Sequence, residues 1–194
     1  MGKEQYYGQA IPLKANNVDT DQIIPAHCCY RPTRNGHGDS LFANWRQNSK
    51  FVLNDELYKG ASILVAGREF ATGSSREYAV WALKDYGFDV IIAPSFGDIF
   101  YKNAIINDLL PLIASESSVE AMWGLLEYEP KTIFIVDLNQ NSVIADGRVY
   151  MIQIKDHFKN KYLDHRSEIE LTMEHLPLIE KYEREHHPSG ARKS

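Results

Sequence analysis

The chain has 194 residues, 44% of them hydrophobic, which suits one domain with a sizeable core. Its net charge of −5 and pI of about 5.8 speak against nonspecific nucleic-acid binding. No apolar run reaches the length of a membrane span, no signal-peptide core follows Gln5, and two adjacent cysteines exclude a disulfide scaffold, so the chain reads as cytoplasmic.

Residues 6–13 have the pattern of a first strand, and Asn16-Asn17 that of a turn. Asp19-Thr20-Asp21 and Ile23-Ile24-Pro25 follow. Asp and Thr side chains bond neighbouring backbone, so an Asx-type turn accounts for the acidic cluster without any catalytic duty. His27-Cys28-Cys29 lacks both the C-x-x-C spacing and the second ligand cluster of a metal site, and is read as a loop in which Cys28 or Cys29 is buried. Residues 30–38 are polar, basic and rich in breakers, hence a loop carrying Arg31 and Arg34. Residues 41–46 read as a short helix with apolar anchors, and 51–54 lead toward the next strand.

That strand, residues 61–66, is an unbroken apolar run. Gly67 and Gly73 enclose a short loop, and Ser74-Ser75-Arg76-Glu77 stand at its end. Ala79, Ala82, Leu83 and Tyr86 then recur at spacings of three and four, one face of a helix that Gly87 stops. At such a junction the first helical N–H groups lack partners and the macrodipole is positive, so an anion or a developing alkoxide is stabilised. Arg76 adds a fork matched to a carboxylate, and Gly73 permits close approach of the backbone to a ligand. The plainer reading makes Ser74 or Ser75 an N-cap, with Arg76 and Glu77 as solvated first-turn charges. A Walker A loop needs Lys where Ser74 stands, and a nucleophile elbow needs Gly where Glu77 stands; both are excluded.

Downstream, residues 89–93 form a second buried strand ended by Pro94, and Ser95 has the place of an N-cap for a helix running to about Asn107. Residues 109–113 make a third strand whose Pro111 favours an edge position or a strand start. Residues 115–127 are helical, with Val119, Met122, Trp123 and Leu126 at core spacing. Residues 131–137, 142–145 and 148–154 read as an antiparallel meander turning at 138–141 and at Asp146-Gly147. A helical segment at 176–185 and a polar tail, 186–194, complete the chain; His157, His165, His175, His186 and His187 show no ligand-like grouping and are assigned to the surface. There is no internal repeat and no low-complexity linker.

Gly73-Ser74-Ser75-Arg76-Glu77, the following Trp81-Ala82-Leu83 and Ser95-Phe96-Gly97-Asp98-Ile99-Phe100 resemble the swivel domain of the aconitase superfamily. Asn17-Val18-Asp19-Thr20-Asp21-Gln22-Ile23-Ile24-Pro25 resembles the small subunits of 3-isopropylmalate dehydratase, and the order and spacing of the blocks match over nearly the whole chain. The resemblance implies an α/β fold, a three-layer β/β/α swivel domain with a largely parallel central sheet and extra C-terminal strands, over residues 1–194 as one domain. It implies a hydro-lyase of leucine biosynthesis that interconverts 2- and 3-isopropylmalate by dehydration and rehydration.

In such an enzyme Ser74 is the base, Ser75 and Arg76 bind or orient a substrate carboxylate, and Asp21, with Thr20 and Gly73, supports the serine. One of Arg31 and Arg34 reaches the substrate from the loop after the Asp-Thr-Asp motif. Departure of hydroxide falls to a [4Fe-4S] cluster held by three cysteines, which a chain with two adjacent cysteines does not supply. The resemblance therefore implies a cluster-bearing large subunit as partner, with the active site between the chains, and neither nucleic acid nor membrane.

Four departures from the family pattern stand out. Glu69-Phe70-Ala71 replaces Asn or Asp, Phe, Gly; Tyr78 replaces His; Ile106-Asn107-Asp108 replaces a Lys-Asn-Gly-like stretch; and Asp164-His165-Arg166-Ser167-Glu168-Ile169 replaces Gly-Leu-Asp-Asp-Ile. They leave open a citraconate-, methylmalate- or homoaconitate-type substrate. A non-enzymatic anion-binding or regulatory subunit is the alternative from another class.

Overall fold

The structure, a computed structural model, describes residues 4–30, 33–73 and 76–154. Within them the chain runs β1 (Gln5–Leu13), α1 (Thr20–Ile23), a series of 3-10 turns, β2 (Ile63–Ala66), α2 (Glu77–Tyr86), β3 (Val90–Ala93), α3 (Asp98–Ile106), β4 (Leu110–Ala114), α4 (Glu116–Tyr128), β5 (Ile133–Asp137), β6 (Ser142–Ala145) and β7 (Arg148–Gln153). The helical segment expected at 176–185, the tail at 186–194, the five downstream histidines and the departure at 164–169 lie outside the described residues.

The two apolar runs flanking the glycine loop are neighbouring parallel strands, Ile63 beside Val90 and Val65 beside Ile92. Both are buried at every position. Strands that bury both faces must pack on two sides, and these do. Leu64, Ala66, Ile91 and Ala93 share a cluster with Ala79, Ala82 and Leu83 of α2 and with Phe100 and Ala104 of α3. Their equally buried neighbours Ile63, Val65, Val90 and Ile92 point, by strand alternation, to the other face.

That other face is the inside of a closed barrel, ordered β1-β2-β3-β4-β7-β6-β5. The expected largely parallel, layered sheet is corrected here: β1 to β4 pair in parallel, but every pairing that involves β5, β6 or β7 is antiparallel. Closure depends on β1, whose first half pairs with β5 (Gln5 beside Asp137) and whose second half pairs with β2 (Leu13 beside Ala66). The antiparallel half has one covered face, and β7 accordingly alternates exposed Val149 and Met151 with buried Tyr150 and Ile152.

Of the two positions expected for Pro111, an edge or the entry of a strand, it takes the latter: it is the second residue of β4, which lies between β3 and β7. The Leu110 N–H donates to Asp89 O on the β3 side, at 2.9 Å. By alternation the next nitrogen, that of Pro111, faces β7, which joins β4 only from Ile113 onward. The missing donor falls where no acceptor waits.

Three local expectations also change. Residues 41–46 do not form an α-helix: Leu41 and Phe42 are buried anchors, but Phe42 takes φ +50, and only a 3-10 turn at Trp45–Gln47 follows. Ser95 does not cap α3, whose N-cap is Gly97. Neither cysteine is fully buried; Cys28 and Cys29 both sit half-buried at the end of a 3-10 turn. Among the described residues no helix is long and apolar enough to cross a membrane.

Candidate functional site

The loops leaving the carboxyl ends of β1, β2 and β3 are stitched together beyond the strands. Toward β1, the Asn17 N–H donates to Arg68 O (2.9 Å), Thr72 N–H to Val18 O (3.3 Å) and Thr20 N–H to Thr72 O (3.0 Å). Toward β3, Phe70 N–H donates to Ser95 O (3.0 Å) and Gly97 N–H to Phe70 O (2.9 Å). Ser95 makes a further tie: its Oγ accepts from the Glu69 N–H at 2.8 Å and donates to the Glu69 carboxylate at 2.7 Å. The carboxyl ends of parallel strands are the usual place for a ligand in α/β folds, and here they are held firmly.

Between these ties the loop takes left-handed conformations at alternate positions, Glu69 (φ +55), Ala71 (φ +58) and Gly73 (φ +95). A Cβ on Gly73 would meet only ordinary contacts, with Asp19 Cβ at 3.6 Å, so its glycine is required by φ. Gly97 differs: a Cβ there would lie 2.4 Å from the Ala71 carbonyl oxygen. Gly97→Ala should therefore destabilise the protein by about 2 kcal/mol, the usual cost of forcing backbone apart. Gly124→Ala, in α4 with open space around it, should stabilise by about 0.8 kcal/mol. Thermal unfolding of the two variants checks the contrast.

The side chains converge at the end of that loop. Asp19 caps α1 in a reciprocal box with Gln22, its carboxylate accepting from the Gln22 N–H at 2.8 Å. The box places Asp21 in the first turn of α1, where its Oδ1 accepts from Nη1 of Arg76. Both partners are partly exposed, so the pair contributes under about 1 kcal/mol. Its consequence is orientation, because a guanidinium held through Nη1 keeps its other donors for a ligand.

Arg76 is itself the N-cap residue of α2, with no side-chain cap; that position is not a serine's. Cys29 lies in the same electrostatic neighbourhood. Burial pushes its thiol up, opposed by the Arg76 guanidinium and reinforced by Cys28 and Asp21.

Thr20, Thr72, Gly73 and Arg76 border a cavity of about 340 Å³, together with Asp98, Ile99 and Phe100 at the start of α3. Arg34 is exposed in the loop after residue 32 and does not border it. Ser74, Ser75 and Arg31 lie outside the described residues. A wider hollow of about 1070 Å³, between Arg68, Ser115 and β7, is bordered by none of the candidate site residues among those described. Among the described residues no three His, Cys, Asp or Glu side chains converge as metal ligands.

Two supports were not anticipated from the sequence. His37, in a breaker-rich loop without periodicity, is buried; its Nε2 donates to Thr33 O at 2.8 Å, its backbone N–H donates to Asp85 at 2.8 Å, and Tyr78 meets its ring edge-on with centroids 5.1 Å apart. Asn107 donates to Glu77 Oε1 (2.9 Å) and accepts from Trp81 Nε1 (3.2 Å), fixing the start of α2 against the end of α3.

Residues 3–117 match the aconitase C-terminal domain family. The 3-isopropylmalate dehydratase small subunit of Salinispora tropica is 49% identical over 181 residues, 93% of each chain. Those of Acidothermus cellulolyticus (48%, covering 91% of this chain and 89% of the relative) and Corynebacterium kroppenstedtii (45%, 93% of each) are similar. The crystal structure of 3-isopropylmalate dehydratase (leuD) from Methanocaldococcus jannaschii superposes with a TM-score of 0.68 at 26% identity, covering 92% of this chain and 99% of that one.

Proposed function

The chain belongs to the aconitase C-terminal domain family and, within it, to the 3-isopropylmalate dehydratase small subunits, and from that premise we propose that it supplies the base and the carboxylate clamp for interconverting 2- and 3-isopropylmalate. The observation that carries this reading is the pairing of Asp21 with Arg76, which borders the cavity beside Gly73.

The reaction removes a weakly acidic proton from the carbon next to a carboxylate and expels hydroxide from its neighbour, leaving an unsaturated dicarboxylate to which water adds in the opposite sense. Arg76 binds one substrate carboxylate with the donors that Asp21 leaves free. Ser74, one peptide bond after Gly73, takes the proton on its oxygen in the forward step and returns it in the reverse. A hydroxyl serves as a base only where its alkoxide is stabilised, and the positive end of α2 with the Arg76 charge provides that field. Ser75 helps orient the same carboxylate, and Arg31 or Arg34 reaches the substrate from its loop.

The departing hydroxide needs a Lewis acid. Cys28 and Cys29 are the chain's only thiols and are neighbours, so its donor set does not fit a cluster held by three cysteines. A [4Fe-4S] cluster on the large-subunit partner supplies that chemistry, and the partner also closes the cavity against water.

A panel of hydroxy-dicarboxylates tests the substrate. The complex with the large subunit should turn over 2- and 3-isopropylmalate with kcat/KM at least about tenfold above that for methylmalate, the discrimination expected for an alkyl difference of this size, and also above that for homoaconitate, whose third carboxylate would replace the alkyl group. A higher value for either of the latter would move the chain to a neighbouring hydro-lyase.

A further inference from the structure

We propose that Ile99 forms the apolar wall that the substrate's isopropyl group meets, and so sets the preference for a branched alkyl substituent. The inference rests on the reading above, in which an alkylmalate is held by its carboxylate at Arg76. Such a substrate carries two carboxylates, a hydroxyl and one aliphatic group. The cavity beside Arg76 offers polar walls at Thr20 and Thr72, and its buried apolar members present almost no surface: Ala71 is 3% exposed and Phe100 4%. Ile99 is 50% exposed and, among the described residues, is the one large aliphatic side chain on that cavity with surface to offer.

Its position is fixed as well as available. Gly97 packs onto the Ala71 carbonyl and donates to Phe70 O, and the Phe70 ring meets those of Phe96 and Phe100 at 6.3 and 5.7 Å. The first turn of α3 is therefore held against the same loop that ends in Gly73. An isoleucine so placed can measure an alkyl group relative to the clamp, since both belong to one rigid assembly.

The test uses the complete complex, carrying wild-type chain, Ile99→Val or Ile99→Ala, with isopropylmalate and methylmalate compared. Methylmalate is followed as a substrate or, where it does not turn over, as a competitive inhibitor. Ile99→Ala should lower kcat/KM for isopropylmalate about tenfold, chiefly through KM, while leaving methylmalate nearly unchanged; Ile99→Val should lie between. An equal loss for both compounds, no loss for either, or failure of Ile99→Ala to assemble with the large subunit would overturn the assignment. A wild-type complex inert toward isopropylmalate would instead sink the functional reading on which the assignment rests.

Discussion

Ser74→Ala in the assembled enzyme should lower kcat by about a thousandfold or more, within the range that a positioned base contributes. The folded chain should be almost unaffected. α2 begins at Glu77 with Arg76 as its N-cap and no side-chain cap, so removing the hydroxyl deletes no capping bond at that position. Unfolding midpoint and association with the large subunit should match those of the unaltered chain, while single-turnover dehydration disappears. The plainer reading of the serine, as a cap, forecasts the reverse: retained turnover and about 1 kcal/mol of lost stability. A fully active Ser74→Ala complex would remove the base from the mechanism.

The second large effect is expected at Arg76. Arg76→Lys keeps the charge but loses the planar fork, and an ammonium that satisfies Asp21 has no second arm directed into the cavity. Hydrogen bonds to charged groups contribute about 1.5–3 kcal/mol, so kcat/KM should fall about a hundredfold. Stability should change little, because the Asp21–Arg76 pair is partly exposed. Steady-state kinetics with thermal unfolding measured alongside separates the two effects. Unchanged kcat/KM in Arg76→Lys would end the carboxylate role.

The centre of the fold was legible because its signals are local. The apolar runs that became β2 and β3, the 3.6-residue spacing of Ala79, Ala82 and Leu83, and Gly87 at φ +118 each report on their own neighbourhood. The meander was legible for the same reason, with Asp146 and Gly147 both at positive φ in its second turn. Closure of the barrel was not, since it depends on β1 changing partners midway between β5 and β2, pairings more than fifty residues apart in the chain. Ser95 carried a capping signature that a closer competitor, the Glu69 loop, took over.

Two departures from the family pattern gain a physical meaning from the backbone. Glu69-Phe70-Ala71 and Asp108 stand where Asn or Asp and Gly are usual, and Glu69, Ala71 and Asp108 all adopt left-handed φ, between +55 and +58. Those usual residues are the ones that visit this region most readily; Asp108 still belongs to them, whereas Glu69 and Ala71 keep the loop's shape against local preference, through the loop's hydrogen bonds to its two neighbours. The third, Tyr78, packs its ring on the buried His37 rather than lying free at the start of α2. Of the candidate site, the sequence placed Thr20 and Asp21 in one motif and Gly73 and Arg76 in another; the fold brings Thr20, Gly73 and Arg76 to one cavity and pairs Asp21 with Arg76.

The central claim is a division of labour, with base and clamp on this chain and activation of the leaving hydroxide on a partner. Titrating the purified, iron-free chain into the cluster-bearing large subunit under anaerobic conditions, with isopropylmalate dehydration followed throughout, tests it most directly. Neither chain alone should turn over substrate, and activity should rise to a plateau at a fixed ratio of the two. Isomerisation by this chain by itself, free of metal, would contradict the account.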